Sequence, residues 1–240
     1  MSRLVAQDLH KRYGNRAVVH GIDLTLERKE VVGLLGPNGA GKTTTFYMLV
    51  GVVQPNEGRV FLGKREITGL PLHERARLGL SYLPQESSIF RKLSVRKNLE
   101  IILEQTGKDA QARKRRADQL LEMFSITQLA NQPAMYLSGG ERRRLEIARA
   151  LILKPKFILL DEPFAGIDPI AVIDIQEIIA QVRKLGIGIL ISDHNVRETL
   201  NICDRAYLVY EGQVILDGTP ASIVEDSRAR KLYLGEDFCL

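Results

Sequence analysis

Apolar positions in this chain fall into short runs separated by amphipathic stretches, and the two kinds alternate along most of its length. Residues 4–9 and 17–26 read as short strands joined at Gly14-Asn15, a hairpin signal. Glu30-Val-Val-Gly-Leu-Leu35 has no polar position after its first residue, which predicts a buried central strand over 31–35. Residues 44–50 then place Phe46, Met48, Leu49 and Val50 as a helix would. Val60-Phe-Leu62 begins another strand after the turn Pro55-Asn-Glu-Gly58, and a strand over 80–83 ends at Pro84-Gln85. From 94 to about 153 the period becomes helical, through Val95, Leu99 and Ile102, then Leu120, Leu121 and Phe124, then Leu145, Ala148 and Ile152. Phe157-Ile-Leu-Leu160 and residues 187–191 are continuous apolar runs, as in strands covered on both faces, with a helix over 170–182 between them. Residues 206–209 and 214–216 flank Glu211-Gly212, a second hairpin signal, and 220–240 read as a polar helix and tail. The alternation predicts an α/β domain with a mainly parallel sheet, an antiparallel β region near the N-terminus, and an inserted α-helical subdomain over 86–153. One domain spanning 1–240 is expected, with no tandem repeat or low-complexity linker.

Composition narrows the class without naming a chemistry. The 240 residues are 45% hydrophobic and 26% charged, ordinary for a globular soluble chain. No apolar run approaches the ~18 residues that would span a membrane. The first eight residues lack the apolar core of a signal peptide. Cys203 and Cys239 form no paired-spacing motif, which argues against a zinc site or a disulfide frame and for a reducing compartment. A cytoplasmic protein is therefore expected. The net charge is +5, and the basic residues gather at Lys108, Arg113, Lys114, Arg115 and Arg116, and at Arg142-Arg143-Arg144. Such clusters suit nucleic acid or an anionic membrane surface, or they are solvated helix faces. The solvated reading is preferred, because acidic residues and Gln are interspersed and no aromatics interleave as stacking platforms.

The chemistry lies in the octet Gly36-Pro-Asn-Gly-Ala-Gly-Lys-Thr43, between a predicted strand and a predicted helix. Its spacing is Gly-x-x-x-x-Gly-Lys-Ser/Thr, a phosphate-binding loop. Glycines let backbone N–H groups approach phosphate oxygens at a helix N-terminus, where the dipole favours negative charge. Gly36, Pro37, Asn38, Gly39, Ala40, Gly41, Lys42, Thr43 and Thr44 are the expected nucleotide contacts. Lys42 supplies charge toward the β- and γ-phosphates, and Thr43 is a magnesium ligand. A nucleoside triphosphate and Mg2+ are thus the expected ligands. Leu159-Leu160-Asp161-Glu162 closes a buried strand with two acids at the end where α/β sheets bind ligands. Asp161 is expected to orient the metal beside Thr43, and Glu162 to act as the general base toward water.

Leu137-Ser-Gly-Gly-Glu141, followed by Arg142-Arg-Arg-Leu-Glu-Ile-Ala-Arg-Ala150, resembles the signature of the ATP-binding-cassette ATPases. The resemblance covers essentially the whole chain and implies a P-loop NTPase core with ATP as its nucleotide. Ser138, Gly139 and Gly140 open a helix and so form an anion site. In this family two subunits associate head to tail, and each signature closes over the γ-phosphate held by the other subunit's loop. The resemblance further implies that Tyr13 stacks on adenine and that Gln85 touches metal and water. It implies that Asp168, in Ala165-Gly-Ile-Asp168, couples the two sites, and that His194 contacts the γ-phosphate. Many relatives have Ser-Ala where this chain has Ala165-Gly166. His10, His20 and His73 carry no such implication.

Longer strings, at residues 43–48, 82–91, 161–169, 193–199 and 233–238, resemble the lipopolysaccharide-export branch of the family in Gram-negative bacteria. That branch implies a homodimer docked on two inner-membrane permease subunits, at the cytoplasmic face, with no nucleic acid bound. Phe90 and Arg91 are candidates for the permease groove, the alternative being that Phe90 packs internally. Phe238 either packs the C-terminal strands or supports the dimer. Three other readings remain open from the residues: an importer ATPase such as one for branched-chain amino acids, a chromosome-maintenance ATPase, and a cassette that binds ATP without turnover. The second lacks its expected heptads and Cys-x-x-Cys, and the third is at odds with Lys42, Asp161, Glu162 and His194.

Overall fold

The structure is a computed structural model that describes residues 2–236 and residue 238. Met1, Asp237, Cys239 and Leu240 lie outside the described residues, and with them the second cysteine and part of the export-like tail. In chain order the elements are β1 (Leu4–Tyr13), β2 (Arg16–Leu26), β3 (Val31–Leu35), α1 (Lys42–Val50), β4 (Glu57–Leu62), β5 (Arg65–Glu66), α2 (Leu72–Leu78), β6 (Leu80–Leu83), α3 (Val95–Glu104), α4 (Ala110–Met123), α5 (Gly139–Ala150), β7 (Phe157–Asp161), α6 (Pro169–Lys184), β8 (Gly188–Ser192), α7 (Val196–Ile202), β9 (Arg205–Tyr210), β10 (Gln213–Gly218) and α8 (Pro220–Glu225). Residues 227–234 complete the path in short helical turns.

Among the described residues the strands form two sheets, ordered β2-β1-β4-β5 and β10-β9-β3-β8-β7-β6. The first is antiparallel throughout. The second is parallel except for the β9–β10 hairpin. This is the α/β architecture with a mainly parallel sheet and an N-terminal antiparallel region that the sequence predicts. The continuous apolar runs are explained by burial on two faces. Val31, Ile158, Leu160, Ile189 and Ile191 turn to one core, shared with Leu99, Leu120, Leu145 and Ile175 of the helices. Val32, Leu34, Leu159 and Leu190 turn to the other, shared with α1 and the antiparallel sheet. Alternate residues of one strand thus serve different cores, so no position along it is left for a polar side chain.

Two helices are absent from the sequence reading, α2 and α7. Each has seven residues and buries few side chains, so neither presents enough apolar positions for a period to show. The Arg142–Arg144 cluster also departs from expectation. Arg143 is buried and pairs with Glu146, and Arg144 pairs with Asp174 of α6. It packs α5 against its neighbours rather than facing solvent. The cluster in 108–116 behaves as expected, being largely exposed along α4. The tail beyond α8 folds back: Tyr233, Leu234 and Phe238 pack on the core made by Leu35, Leu208 and Ile223. Phe238 therefore packs the C-terminal strands, with the Arg197 guanidinium 5.9 Å from its ring centre.

Candidate active site

The C-terminal ends of β3, β8 and β7 lie side by side, with Asp161 closing β7 and Glu162 directly after it, while Asp168 lies further on at the start of α6. The loop from β3 into α1 is shaped by steric need. Gly36 has φ 145°, and a Cβ there would stand 2.1 Å from the Val209 carbonyl oxygen. Only glycine fits there, so the backbone lies close against β9. Lys42 donates to the carbonyls of Gly36 (2.6 Å) and Pro37 (2.9 Å), spanning the loop it closes. Burial lowers the Lys42 pKa, opposed by the charges of Glu162, Asp161 and Asp193. That trio places three carboxylates within electrostatic reach of one ammonium. The Thr45 hydroxyl donates back to the Gly41 carbonyl, tying the loop to the first turn of α1.

Tyr13, Asn38, Gly39, Gly41, Lys42, Thr43, Thr44 and Glu162 line one cavity of about 390 Å³. Tyr13 is 49% exposed at its rim, free to face a planar ring, with the Lys11 ammonium 5.4 Å from its own. Gly36 and Ala40 are buried behind the loop and shape it from the back. Arg16 and Val18 line the same cavity, and sequence reasoning missed both. They follow a plain hairpin turn, where no spacing marks a ligand contact.

Asp161 ends β7 with 4% exposure. Burial pushes its carboxyl up to about 6, against the Tyr82 hydroxyl, which donates to Oδ2 at 3.3 Å. An ionised carboxylate at this depth gains most from a cation. Thr43, Asp161 and Gln85 offer hydroxyl, carboxylate and amide oxygens, a donor set that suits a hard ion such as Mg2+. Glu162 takes a left-handed backbone conformation, φ 44°, and its N–H donates to the Ser192 carbonyl of β8 at 2.6 Å. Its Oε2 accepts from Gln85 Nε2 at 2.8 Å and lies 3.5 Å from His194 Nδ1. The structure therefore brings Gln85, Glu162 and His194 together, though they come from three loops.

Asp193 is the site residue the sequence analysis left without a role. It is fully buried at the end of β8, where its Oδ2 accepts from the Phe164 N–H and its Oδ1 from the Asn195 N–H. One carboxylate thus fixes both the loop after Glu162 and the turn carrying His194. The signal was present, since Ser192-Asp193 ends a buried parallel strand as Leu160-Asp161 does.

Ser138, Gly139 and Gly140 do not line the 390 Å³ cavity. Ser138 caps α5 in a reciprocal box: its Oγ accepts from Glu141 N–H, and Glu141 Oε2 accepts from Ser138 N–H. The capping role is thus real, and it leaves Ser138 and Gly139 exposed at a helix N-terminus. Asp168 is likewise exposed and caps α6 through the Ala171 N–H. Phe90 is 45% exposed, not internal, with the Arg149 guanidinium 5.2 Å from its ring centre, and Arg91 is exposed beside it. Among the described residues no helix is long and apolar enough to cross a membrane.

The sequence profile of the ABC transporter family matches residues 19–165. The "Lipopolysaccharide export system ATP-binding protein LptB" of Escherichia coli K12 is 55% identical over 241 residues, covering 100% of both chains. The protein of that name from Acidithiobacillus ferridurans is 55% identical over 99% of both chains. The one from Haemophilus influenzae is 54% identical over 100% of both. Among solved structures, the ADP conformation of an ATP-binding cassette of an ABC transporter superposes with a TM-score of 0.88 at 27% identity, over 98% of this chain and 100% of that one. The cbiO1 subunit of an ABC transporter complex from Clostridium perfringens gives 0.86 at 29% identity, over 96% and 95%.

Proposed function

The chain belongs to the ABC transporter family, and on that premise we propose that it is the ATP-hydrolysing subunit that powers lipopolysaccharide extraction from the inner membrane and export to the outer membrane. One observation carries the pathway: relatives 54–55% identical, matched end to end in both directions, bear the lipopolysaccharide-export name. The reaction is ATP and water to ADP and phosphate.

The positions of the residues and the family resemblance support the roles in this reading. Tyr13 stacks on adenine at the cavity rim, with Arg16 beside it. The loop N–H groups from Gly39 to Thr44 hold the β-phosphate, and Lys42 turns from its two carbonyl partners to the β/γ oxygens. Thr43, Asp161 and Gln85 would hold a Mg2+, which would offset charge on the phosphate oxygens. Glu162 takes the proton of the attacking water. Gln85 and His194 fix its carboxylate from two sides and contact the nucleotide's γ end. Water and γ-phosphate then meet at the end of β7, with Asp193 holding the surrounding loops in place.

One chain presents a phosphate cavity and, apart from it, a signature whose Ser138 and Gly139 are exposed. Two chains in head-to-tail order bring each signature onto the other's γ-phosphate, with Asp168 at the junction. ATP binding closes this homodimer, and hydrolysis with release opens it. Two permease subunits of the inner membrane receive the motion at Phe90 and Arg91, and the protein sits on the cytoplasmic face through them.

The test is affinity purification of tagged Glu162→Gln protein from its native membranes with ATP and magnesium, followed by identification of the bound chains. Two lipopolysaccharide-export permeases are expected. Importer permeases, or no membrane protein, would overturn the export assignment and leave the ATPase standing.

A further inference from the structure

The pair Arg143–Glu146 on α5 has a geometry that stability alone does not call for. Arg143 is 5% exposed and Glu146 7%, and Nη1 meets Oε2 at 2.8 Å. Burying two charges costs several kcal/mol per ion before their attraction is counted, and a well-packed apolar pair often does as well or better. A pair kept for rigidity would use its hydrogen-bonding capacity. This one leaves Arg143 Nε and Nη2 and Glu146 Oε1 buried with no partner among the described residues.

What the pair touches is the active site. Arg143 Nη1 also donates, at 3.4 Å, to the carbonyl of Pro84, the peptide unit that leads into Gln85. Gln85 in turn holds Glu162 at 2.8 Å. The Arg143 charge acts on Asp161 and favours its ionised form. Arg143 and Glu146 wall a cavity of about 150 Å³ together with Gln85, Gly139, Glu162 and Gly166. That one small space adjoins the glutamine loop, the first turn of the signature helix and the loop after the candidate base. Its volume and polar walls suit a few bridging waters.

We propose that Arg143, held by Glu146, is a positioning residue that ties the signature helix α5 to the glutamine loop, so that a shift of α5 re-aims Gln85 at Glu162. The inference rests on the assignment of Gln85 and Glu162 to the hydrolytic site. A single long hydrogen bond plus unspent donors makes the link adjustable. When Ser138 and Gly139 engage a phosphate, α5 moves as a unit, and Arg143 sits one turn along it. The Pro84 carbonyl and the Arg143 charge move relative to the two acids together. The signature would then report its occupancy to the base without direct contact.

The experiment uses the full chain in its permease complex. Arg143→Met leaves Glu146 buried and unpaired, so it is paired with the double variant Arg143→Met/Glu146→Leu, which removes both charges at once. The double variant is expected to unfold within a few degrees of wild type, to keep KM for ATP within about threefold, and to lose about tenfold or more in kcat. Arg143→Lys should recover part of that loss, because the charge and one donor return. ATP should still protect amides 36–44 from hydrogen exchange in the double variant while failing to change protection at 84–88. A kcat within twofold of wild type, or ATP-dependent protection at 84–88 that persists, would overturn the proposal. Wild-type turnover that survives Lys42→Ala would instead sink the site assignment itself, and this inference with it.

Discussion

Glu162 occupies a left-handed backbone conformation that residues with a Cβ rarely adopt, at a cost of about 1–3 kcal/mol. The bend turns its side chain from the strand toward Gln85 and His194, so strain and function coincide at one residue. Glu162→Gln should bind ATP normally yet lower turnover by roughly 10²–10⁴. Single-turnover assays on the purified variant check this, and near-normal rates would remove Glu162 from the base role. Asp161 supports a prediction about pH. Burial raises its carboxyl to about 6, whereas the unfolded chain keeps an ordinary value near 4. The folded state therefore holds the proton more tightly, and its stability falls as pH rises from about 4 to 6, then levels off. The drop is on the order of 2–3 kcal/mol. Asp161→Asn should lose that slope and melt higher than wild type above pH 7 when nucleotide and metal are left out. Parallel melting curves for the two proteins across pH 4–8 would contradict it.

At the scale of the element, helix α1 shows how a phosphate loop is anchored from behind. Its C-terminal carbonyls at Met48 and Leu49 both accept from Arg75 Nη1 at 2.7 Å. Arg75 Nη2 reaches the Thr68 carbonyl at 2.7 Å and Nε the Leu70 carbonyl at 2.8 Å. Gly51, at φ 85°, ends the helix where a Cβ would strike Arg75 Nε at 2.7 Å. The guanidinium is fully buried, and burial lowers its pKa to about 10. Beside the Gly51 cap it satisfies the helix's last carbonyls and places a cation at the negative end of the dipole. Arg75→Met should cost about 3 kcal/mol or more, because four buried carbonyls lose a partner. Thermal unfolding should drop by roughly 6–12 °C. Nothing in the order of residues hints at this, since α2 is too short to show a period and an arginine there reads as surface. At α5 the reverse holds: Ser138 and Glu141, three residues apart, spell out a capping box in neighbouring letters of the chain. Ser138→Ala should cost about 1 kcal/mol of stability, measurable by denaturant unfolding, in addition to any loss of turnover.

For the whole molecule, the question is how a cassette with no membrane-crossing helix among its described residues passes on its motion. Phe90 sits on a surface between the glutamine loop and α5, its ring half-exposed against Arg149. Its backbone is held firmly: Asn98 accepts from the Phe90 N–H and donates to the Phe90 carbonyl. An apolar ring on a fixed backbone, beside the cations Arg91 and Arg149, suits a short partner helix. Phe90→Ala should leave ATPase activity of the isolated protein within about twofold while weakening co-purification with the permeases, since a ring so exposed adds little to the core. Unchanged recovery of the complex would defeat the groove assignment.

The strands of the parallel sheet, the longer helices, the phosphate loop, the two acids at the end of β7 and the signature were legible in the chain, because each is written in neighbouring residues. A buried strand must be apolar, a phosphate loop must have glycine where the backbone turns back, and a helix start needs its cap. The convergence of Gln85, Glu162 and His194 was not legible from spacing, nor was the buried Asp193 that holds two loops at once. The Arg143–Glu146 pair inside a run that reads as a solvated face was equally hidden, as was Arg75 beneath α1. The contacts of Arg75 with Met48, of Asp193 with Phe164 and of Gln85 with Glu162 join residues from about 27 to 77 positions apart. Such contacts form only when α2 packs under α1 and when β6, β7 and β8 lie side by side, and a charged side chain's burial depends on what packs over it rather than on its neighbours in sequence.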